Sequence, residues 1–323
     1  MPHPKQSALP WTITDGRAGN VRQAVALASA LRLGGVRRLQ LEPRAPWRWA
    51  APRQLPGMDD GYGPAFSNLL QMPPALAIGC GRQAAAALRR LRPRGTRTVQ
   101  ILDPRIDPRH WDLVVVPEHD RLRGANVLTL LGSLNPVDDN WLAAGRAAFA
   151  AFEALPAPRT ALLVGGPTEH APWTADSIAP LFEQLAAQVR ADGGSILATT
   201  SRRTPPEVGR ALLRAFHDVP GVIWSDGGDG TNPYAGLLGW AARVVCTPDS
   251  VNLLSEACAT RVPVAVLMAD RARGRLQHFQ QSLRERGRLQ AGFDQWPGDD
   301  TRAIEPLRET ARIATEVRQR LGL

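Results

Sequence analysis

Glycine-containing turns that follow short apolar runs are the first places where this sequence could bind a ligand. Residues 15–20 carry Gly16 and Gly19 directly after an apolar run, with Asp15 before them and Asn20 after them. Glycine lets a backbone approach a ligand closely, and the amides at a helix start favour an anion or a hydroxyl-rich group. The spacing is not that of the dinucleotide fingerprint, which disfavours a nicotinamide site. We predict a ligand-binding turn, with a tight turn of purely structural value as the alternative.

A second glycine pair follows the apolar run at 75–78. Gly79 and Gly81 would place another glycine-lined loop on the same edge of the N-terminal sheet, as a binding crevice needs. Cys80 between them has no neighbouring histidine or acid that could activate its thiol. We therefore predict a small, buried thiol rather than a nucleophile.

The second half of the chain repeats this pattern with added charge. Gly165 and Gly166 stand where an apolar run ends, and Ser201, Arg202 and Arg203 follow the next apolar run. Two guanidinium groups with hydroxyls beside them suit a diphosphate, because charged donors make strong hydrogen bonds to phosphate oxygens. The alternative is that at least one of these arginines pairs with a surface acid.

A hydroxyl-rich turn after residue 246 is the most informative motif. Thr247, Asp249 and Ser250 would supply side-chain oxygens and free amides at a helix start. Glu256 lies about two turns into that helix, where its carboxylate could accept hydrogen bonds from both hydroxyl groups of a ribose. Asp249 or Ser250 would also cap the helix, and capping does not exclude nucleotide binding.

The elements that would position these turns alternate regularly. Short runs rich in Val, Ile and Leu separate stretches of helical periodicity, which is typical of parallel sheets covered by helices on both faces. The predicted strands are 9–14, 36–41, 75–78, 98–102, 113–116, 127–130, 160–164, 195–199, 221–224, 243–246 and 263–267. The predicted helices are 20–33, 82–91, 137–154, 175–191, 205–216, 249–259, 273–288 and 299–321, and residues 42–74 are predicted to be irregular.

Two prolines in residues 155–159 interrupt the helical pattern and predict a domain boundary. We expect an acceptor-side domain over residues 1–155 and a nucleotide-sugar-binding domain over 156–298. The helix of the last segment, 299–323, is expected to pack back towards the first domain. Two tandem doubly wound, Rossmann-like α/β domains would then face a cleft, with ligands at the carboxyl ends of the strands.

Composition excludes several classes of protein. The chain has 323 residues, 44% of them apolar and 21% charged, and no apolar run approaches the roughly 20 residues that a membrane helix needs. Three widely spaced cysteines argue against disulfides and zinc, and the first ten residues do not resemble a secretory signal. We expect a cytoplasmic protein.

Charge is unevenly distributed along the chain. Residues 1–155 have 20 basic and 12 acidic side chains, whereas residues 156–323 have 19 and 18. The basic half predicts an anionic partner, and no nucleic-acid-binding module accompanies it, so nucleic acid is not expected. Trp47 and Trp49 stand among arginines at 44–49, where they suit either contact with a membrane interface or core packing.

Six sequence blocks together resemble the elongated-mitochondria fission family of plants and proteobacteria. They occur in the family's order at residues 14–23, 117–120, 165–167, 201–205, 232–234 and 247–257. That family is similar to GT-B glycosyltransferases, especially the one that adds N-acetylglucosamine to the lipid-linked peptidoglycan precursor. The resemblance implies donor binding by Ser250 and Glu256, and a donor-sugar contact by a glutamine among Gln277, Gln280 and Gln281, with Gln277 as the main candidate.

The resemblance implies transfer of a sugar from a nucleoside-diphosphate sugar to a lipid-linked or cell-envelope glycan. The sequence has no Asp-x-Asp metal motif, so we expect no metal, and we expect no cofactor apart from the sugar-nucleotide substrate. We expect a cytoplasmic protein that associates peripherally with the inner membrane. The peptidoglycan enzyme has a histidine where this chain has Asn20, so the proton acceptor is expected to be Asp15 or His119. The alternatives are a sugar-nucleotide epimerase of GT-B fold and a non-catalytic, membrane-associated binding protein.

Overall fold

The structure is a computed structural model that describes residues 9–294, 296 and 304–323. Two parallel sheets with helices packed on them confirm the predicted α/β class with two Rossmann-like domains. The chain divides into two compact units. Unit 1 runs to Pro136 and includes Glu309–Leu323, and unit 2 is Val137–Arg308.

Unit 1 contains a six-stranded sheet in the order β2-β1-β3-β4-β5-β6, in which every strand is parallel to its neighbours. Alternate residues of β5 belong to different cores, because Val114 lies in one apolar cluster and Val115 in the other. Both faces of the sheet are therefore buried, as parallel sheets require. Its strands are β1 (Trp11–Thr14), β2 (Arg37–Gln40), β3 (Leu76–Cys80), β4 (Arg97–Ile101), β5 (Leu113–Pro117) and β6 (Val127–Leu130).

The helices of unit 1 lie on both faces of that sheet. Helices α1 (Ala18–Ala30) and α12 (Glu309–Leu321) share one apolar cluster, and α5 (Arg82–Leu91) contributes to the other. The stretch 42–74 was predicted to be irregular, but it forms three short helices: α2 (Trp47–Ala50), α3 (Met58–Gly61) and α4 (Pro64–Gln71). Tyr62 and Phe66 of this stretch are buried and hold it on the sheet.

Unit 2 contains a five-stranded parallel sheet in the order β11-β10-β7-β8-β9. Its strands are β7 (Arg159–Val164), β8 (Ser195–Thr200), β9 (Gly221–Trp224), β10 (Arg243–Cys246) and β11 (Val264–Val266). Its helices are α6 (Asp139–Ala148), α7 (Ala175–Ala191), α8 (Pro206–Ala215), α9 (Tyr234–Trp240), α10 (Val251–Cys258) and α11 (Arg275–Glu285).

The predicted domain boundary at 155–159 is wrong, because the division falls after Pro136. Helix α6, placed in the first domain by the sequence, crosses α9 of unit 2, where Gly145 faces the main chain of Ala235. Phe152, which follows α6, is buried against Leu197 and Leu237 in the same unit. The prolines end this segment without separating it from the sheet that it covers.

The last predicted helix, 299–321, begins in the structure at Glu309, and its first predicted residues, 299–303, lie outside the described residues. Thr310 Oγ1 donates to the carbonyl of Asn135 at 2.8 Å and accepts from the Asn135 amide at 2.9 Å. Ile313 and Val317 are buried in the cluster of unit 1 that includes Leu27. The chain therefore returns to unit 1 after completing unit 2.

Each sheet contains one point where the strand order reverses. In unit 1 the chain runs from β1 to β2 and then returns to β3 on the other side of β1. In unit 2 it runs outward from β7 through β8 to β9 and then returns to β10 on the other side of β7. Doubly wound sheets bind ligands at such switch points, outside the carboxyl ends of the strands. No helix in the described part of the chain is long and apolar enough to span a membrane.

Candidate functional site

The switch point of unit 2 brings together the turns after β7, β8 and β10. The amide of Gly165 donates to Thr247 Oγ1 at 2.8 Å, and the amide of Gly166 donates to Asp249 Oδ2 at 3.0 Å. The amides of the two glycines predicted to bind the donor nucleotide are therefore already engaged by side chains of the neighbouring strand end. Their role here is to join the β7 turn to the β10 turn.

Asp249 connects these turns to the third one. Its Oδ2 also accepts a hydrogen bond from Arg203 Nη2 at 3.0 Å, and Arg203 Nη1 donates to the carbonyl of Gly166 at 3.2 Å. The Asp249 side chain is fully buried, whereas that of Arg203 is 52% exposed. A buried carboxylate needs such a charged partner. Asp249 thus joins the three turns through hydrogen bonds within the protein, which is a different role from its predicted contact with the nucleotide.

Close packing explains why glycine occupies both positions of the β7 turn. A Cβ at Gly165 would collide with the Asp249 carboxylate, and a Cβ at Gly166 would collide with the carbonyl of Arg203. The glycines are needed for the approach of these groups rather than for an unusual backbone angle. Any larger residue would push the three turns apart.

Hydroxyl groups complete the β8 turn. Thr204 Oγ1 donates to the carbonyl of Gly165 at 2.5 Å and accepts from the amide of Ser201 at 2.9 Å. Ser201 Oγ in turn accepts from the amide of Arg203 at 3.2 Å. These bonds fix the backbone that carries Arg203, while Arg202 beside it is exposed. The Arg203 guanidinium therefore lies at the switch point of unit 2, and Arg202 is its exposed neighbour in the β8 turn.

Helix α10 begins at the same place. Ser250 caps it, because its Oγ accepts from the amide of Leu253 at 3.3 Å. The first amides of a helix have no partner within the helix, and its dipole places partial positive charge at this end. The predicted roles of Ser250 as a cap and as part of an anion site are compatible in this geometry.

Two side chains near α10 differ from their predicted positions. Gln277 is exposed, whereas the buried Gln280 contacts the β10 turn through Nε2, which donates to the carbonyl of Pro248 at 2.9 Å. Glu256, predicted to hold a ribose, is only 3% exposed. Burial raises the pKa of the nearby Cys246 thiol, and the negative charges of Asp249 and Glu256 raise it further. Glu256 is therefore a buried side chain of α10, and its contact with a ribose stays a prediction.

Two buried oxygens at this switch point accept no hydrogen bond from any described residue: Asp249 Oδ1 and Gln280 Oε1. Buried polar atoms are nearly always hydrogen-bonded in proteins. Asp249 belongs to the turn at 247–250 and contacts Gly166, and Gln280 contacts that turn through the carbonyl of Pro248. They leave two hydrogen-bond acceptors at the place where the sequence predicts a ligand.

The switch point of unit 1 holds Asp15, Asn20 and Cys80. Asn20 Nδ2 donates to Asp15 Oδ1 at 2.8 Å, and Cys80 Sγ donates to Asn20 Oδ1 at 3.6 Å. Asn20 thereby joins the β1 turn to the β3 turn and holds the Asp15 carboxylate. Burial raises the pKa of the Cys80 thiol, which agrees with the predicted unreactive thiol.

The glycines of unit 1 have separate roles. Gly16 and Gly81 have φ values of +77° and +87°, which a residue with a side chain rarely adopts. Gly19 lies inside α1, so it is not a loop residue as predicted. Gly79 lies inside β3, where a Cβ would collide with Leu88 and Ala84 of α5. Gly79 thus permits close packing of a helix on the sheet, and only Gly16 and Gly81 shape the predicted turns.

His119 is distant from Asp15 within unit 1. It lies in a short 3-10 helix, Glu118–Asp120, that follows β5, and β3 and β4 separate β5 from β1. Three spacings of about 4.8 Å place the two strand ends about 14 Å apart. Asp15 and His119 therefore follow strand ends that are three strands apart in the sheet of unit 1.

A family comparison supplies the context for these two sites. The family model described as "Mitochondrial fission ELM1" matches residues 18–321. The chain belongs to this family. The mitochondrial fission protein ELM1 of Arabidopsis thaliana is 34% identical over 279 residues, which cover 77% of this chain and 64% of the plant protein. The chain thus spans less than two thirds of that relative's length.

Solved structures show the fold of this family member. The chain is similar to Staphylococcus aureus MnaA solved with UDP (TM-score 0.53, 11% identity, 98% of this chain and 97% of that one). It is also similar to the UDP-GlcNAc 2-epimerase of Neisseria meningitidis bound to UDP-GlcNAc (TM-score 0.51, 11% identity, 95% and 98%). These likenesses show the GT-B type of fold that the sequence predicted.

Sequence reasoning missed Thr204 and gave Gln280 less weight than Gln277. The hydroxyl of Thr204 contacts the β7 turn, and the signal for it was its place after a strand end and before a proline. Helical spacing could have favoured Gln280, because it follows the buried Leu276 by four residues and so lies on the same face of α11.

Among the residues that the structure describes, no group of three or more His, Cys, Asp or Glu side chains could hold a metal ion.

Proposed function

We propose that this protein is a metal-independent glycosyltransferase that binds a nucleoside-diphosphate sugar at the switch point of unit 2. The observation that carries the proposal is the half-exposed Arg203, which the buried Asp249 holds beside the N-terminus of α10. A fixed guanidinium group next to a helix start is a strong arrangement for binding phosphate oxygens. Stabilising the leaving diphosphate in this way would lower the barrier to transfer.

The internal hydrogen bonds favour particular groups as the phosphate contacts of this proposal. The amides of Gly165 and Gly166 are engaged by Thr247 and Asp249, so the diphosphate would contact the first amides of α10 and the guanidinium of Arg203. The exposed Arg202 would add a second positive charge. Asp249 would keep Arg203 in position without touching the phosphate.

The structural neighbours support the nucleotide class of this ligand. MnaA was solved with UDP, and the Neisseria epimerase was solved with UDP-GlcNAc. Both of these neighbours therefore hold uridine nucleotides, and the switch point of unit 2 is where a doubly wound sheet would hold one. The nucleobase of this protein's own donor is part of the test below.

The acceptor side is assigned to unit 1. The Asp15 carboxylate lies at that unit's switch point, and Asn20 orients it through a 2.8 Å hydrogen bond. A carboxylate in this position could remove the proton from an attacking hydroxyl. We assign this base role to Asp15 rather than His119, because β5 ends far from the switch point. The positive charge of unit 1 suits an acceptor glycan on an anionic lipid carrier or cell envelope.

A turnover assay separates this proposal from its two alternatives. Purified protein is incubated with UDP-, GDP-, dTDP- or ADP-linked sugars, with and without an envelope-lipid extract as acceptor. A transferase releases nucleoside diphosphate mainly when acceptor is present. An epimerase converts the donor alone, and a non-catalytic binding protein binds nucleotide without consuming it. Conversion of the donor alone or a lack of turnover would each contradict the transferase proposal.

A further inference from the structure

A groove of about 420 Å³ opens in unit 2 next to the glycine turn after β7. Resting on the proposed function, we infer that this groove binds the sugar of the donor and that the sugar is a neutral hexopyranose. Pro167 lies in its wall and directly follows Gly166, whose amide donates to Asp249. The groove therefore begins one residue after that turn, which is about 3.8 Å between neighbouring Cα atoms. Its volume lies within the range of small-molecule sites.

The lining suits a pyranose ring, which has apolar C–H faces and a rim of hydroxyl groups. Trp173 lies in the wall, and indole rings offer a large apolar surface with a polar N–H. Trp173 is only 5% exposed and belongs to the apolar core of unit 2, so its position is fixed. Its Nε1 donates to no described residue, which leaves a donor in the wall of the groove.

Two opposite charges stand at the same groove. Glu169 and Arg271 both line it, and both residues are exposed. A carboxylate can accept hydrogen bonds from two neighbouring hydroxyls, and a guanidinium group can donate several. Arg271 Nε also lies 3.8 Å from Asp270 Oδ2, so a second carboxylate offsets its positive charge. The groove therefore has no surplus positive charge for an anionic sugar, which favours a neutral sugar over an anionic one.

The walls of the groove are held before any ligand binds. Thr174 and Ser177 form reciprocal hydrogen bonds that cap α7, with the Thr174 amide 2.9 Å from Ser177 Oγ. Thr168 and Ala171 exchange two backbone hydrogen bonds of 3.1 Å. The amide of Arg273 donates to the carbonyl of His170 at 2.8 Å, which joins the two walls. A preorganised wall lowers the entropy cost of binding.

The arrangement differs from the sequence expectation for the donor sugar. Gln277, implied by the family resemblance, is exposed on α11 and does not line the groove. Glu169 and Trp173 were not singled out from the sequence, because neither belongs to a motif. They come together through the loop between Gly166 and α7, which the folded structure brings beside Arg271.

Binding of UDP and of UDP-glucose to matched variants tests this inference. Glu169→Gln removes the carboxylate but keeps the shape of the side chain, and Trp173→Phe keeps an apolar ring. Glu183→Gln, on the exposed face of α7, is the control. We expect Glu169→Gln and Trp173→Phe to weaken UDP-glucose binding roughly tenfold or more, as measured by calorimetry. UDP binding should stay within about twofold in all variants, as expected for a site away from the nucleotide.

A second measurement uses methyl glucoside without nucleotide, detected by saturation-transfer NMR. We expect saturation transfer to the methyl glucoside from wild-type protein and from Glu183→Gln, and a weaker saturation-transfer signal with Glu169→Gln. Equal weakening of UDP and UDP-glucose would overturn the inference, because the groove would then hold the nucleotide. Unchanged UDP-glucose binding in both groove variants would also overturn it. If the wild type binds no UDP, the proposed function is wrong for this nucleotide. Binding of the methyl glucoside then tests by itself whether the groove holds a sugar.

Discussion

Asp249 is the residue on which the geometry of the proposed donor site depends. Its buried carboxylate receives the Gly166 amide and the Arg203 guanidinium, and these three groups come from three different strand ends. The charge of Arg203 is thereby fixed in position at a modest cost in entropy. Because Arg203 and Asp249 are 46 residues apart in the chain, only the folded structure shows this pairing.

Asp15 provides the test of chemistry at the residue scale. If Asp15 is the base, Asp15→Asn should lower the transfer rate by about 10²–10⁴-fold while donor binding is retained. His119→Ala should change the rate only a few-fold, because its strand end lies about 14 Å from that of Asp15. Initial rates at saturating donor measure both effects. A large loss in His119→Ala with little loss in Asp15→Asn would reverse the assignment.

The sequence identified the residue types at both switch points but not their burial. The glycine turns, Arg203, Thr247 and Ser250 lie where strand-to-helix patterns predicted them. Glu256 and Asp249 were expected to face a ligand, but both are buried. A sequence shows which helix a carboxylate occupies, whereas the depth of that helix beneath neighbouring turns depends on contacts distant in the chain.

An ion pair joins helix α3 to helix α5 within unit 1. Asp59 accepts two hydrogen bonds of 2.7 Å from Arg90 of α5, and Arg94 lies 3.5 Å away. The Arg90 hydrogen bond is the main cause of a lowered pKa for Asp59. A carboxylate with a lowered pKa stabilises the fold above its unfolded pKa of about 3.9, and this contribution is lost as pH falls below that value.

Replacing this carboxylate should therefore have a pH-dependent effect. We expect Asp59→Asn to lower the free energy of unfolding by about 1 kcal/mol at pH 7, since the pair is partly exposed. The difference from wild type should be smaller at pH 2.5 than at pH 7, because the stabilisation from a lowered native pKa declines once the pH falls below the unfolded pKa. Urea unfolding at both pH values measures this, with the exposed Asp60→Asn as control. An equal loss at both pH values would contradict a charge effect.

Helix α6 tests the corrected boundary at the element scale. Gly145 faces the main chain of Ala235, so Gly145→Ala should cost about 1–3 kcal/mol through overpacking, although alanine favours helices. Gly209 of α8 has open space around its Cβ position, so Gly209→Ala should stabilise the protein by up to about 1 kcal/mol. Thermal unfolding compares the two. Stabilisation by both variants would contradict close packing of α6 on α9.

Periodicity predicted most strands and helices because each carries a local apolar pattern. It missed α9 and the short helices α2, α3 and α4, whose lengths of four to eight residues give little period to detect. It also placed the boundary at the prolines of 155–159, since the α6–α9 contact joins residues about 90 positions apart. Contacts of this separation leave no local signal.

The corrected boundary sharpens the charge asymmetry of the whole molecule. Residues 1–136 and 309–323 carry 22 basic and 11 acidic side chains, whereas residues 137–308 carry 17 and 19. Unit 1 therefore has a formal charge of +11, and unit 2 has −2. A diphosphate held by local arginines and a helix start needs no general positive field. We therefore expect the positive charge of unit 1 to attract an anionic membrane surface.

Exposed apolar side chains in unit 1 allow a test of whether this unit binds an anionic membrane surface. Trp49, Leu55 and Met72 are exposed there, and Trp49 is 66% exposed. We expect unit 1 to bind vesicles that contain phosphatidylglycerol and expect this binding to weaken as salt is raised. Trp49→Ser should weaken binding in a sedimentation assay, and Leu213→Ser, a control exposed in unit 2, should not. Salt-independent binding, or equal effects of both variants, would contradict this assignment.

The central claim, that the switch point of unit 2 binds a nucleoside diphosphate, is tested most directly by calorimetric titration with UDP, GDP, ADP and dTDP. We predict saturable binding of at least one of them. Arg203→Gln should raise its Kd by roughly 10–100-fold, because a charge-assisted contact is lost. The exposed Arg210→Gln of α8 should leave the Kd unchanged. Absence of binding by all four nucleotides, or equal affinity in wild type and Arg203→Gln, would contradict the claim.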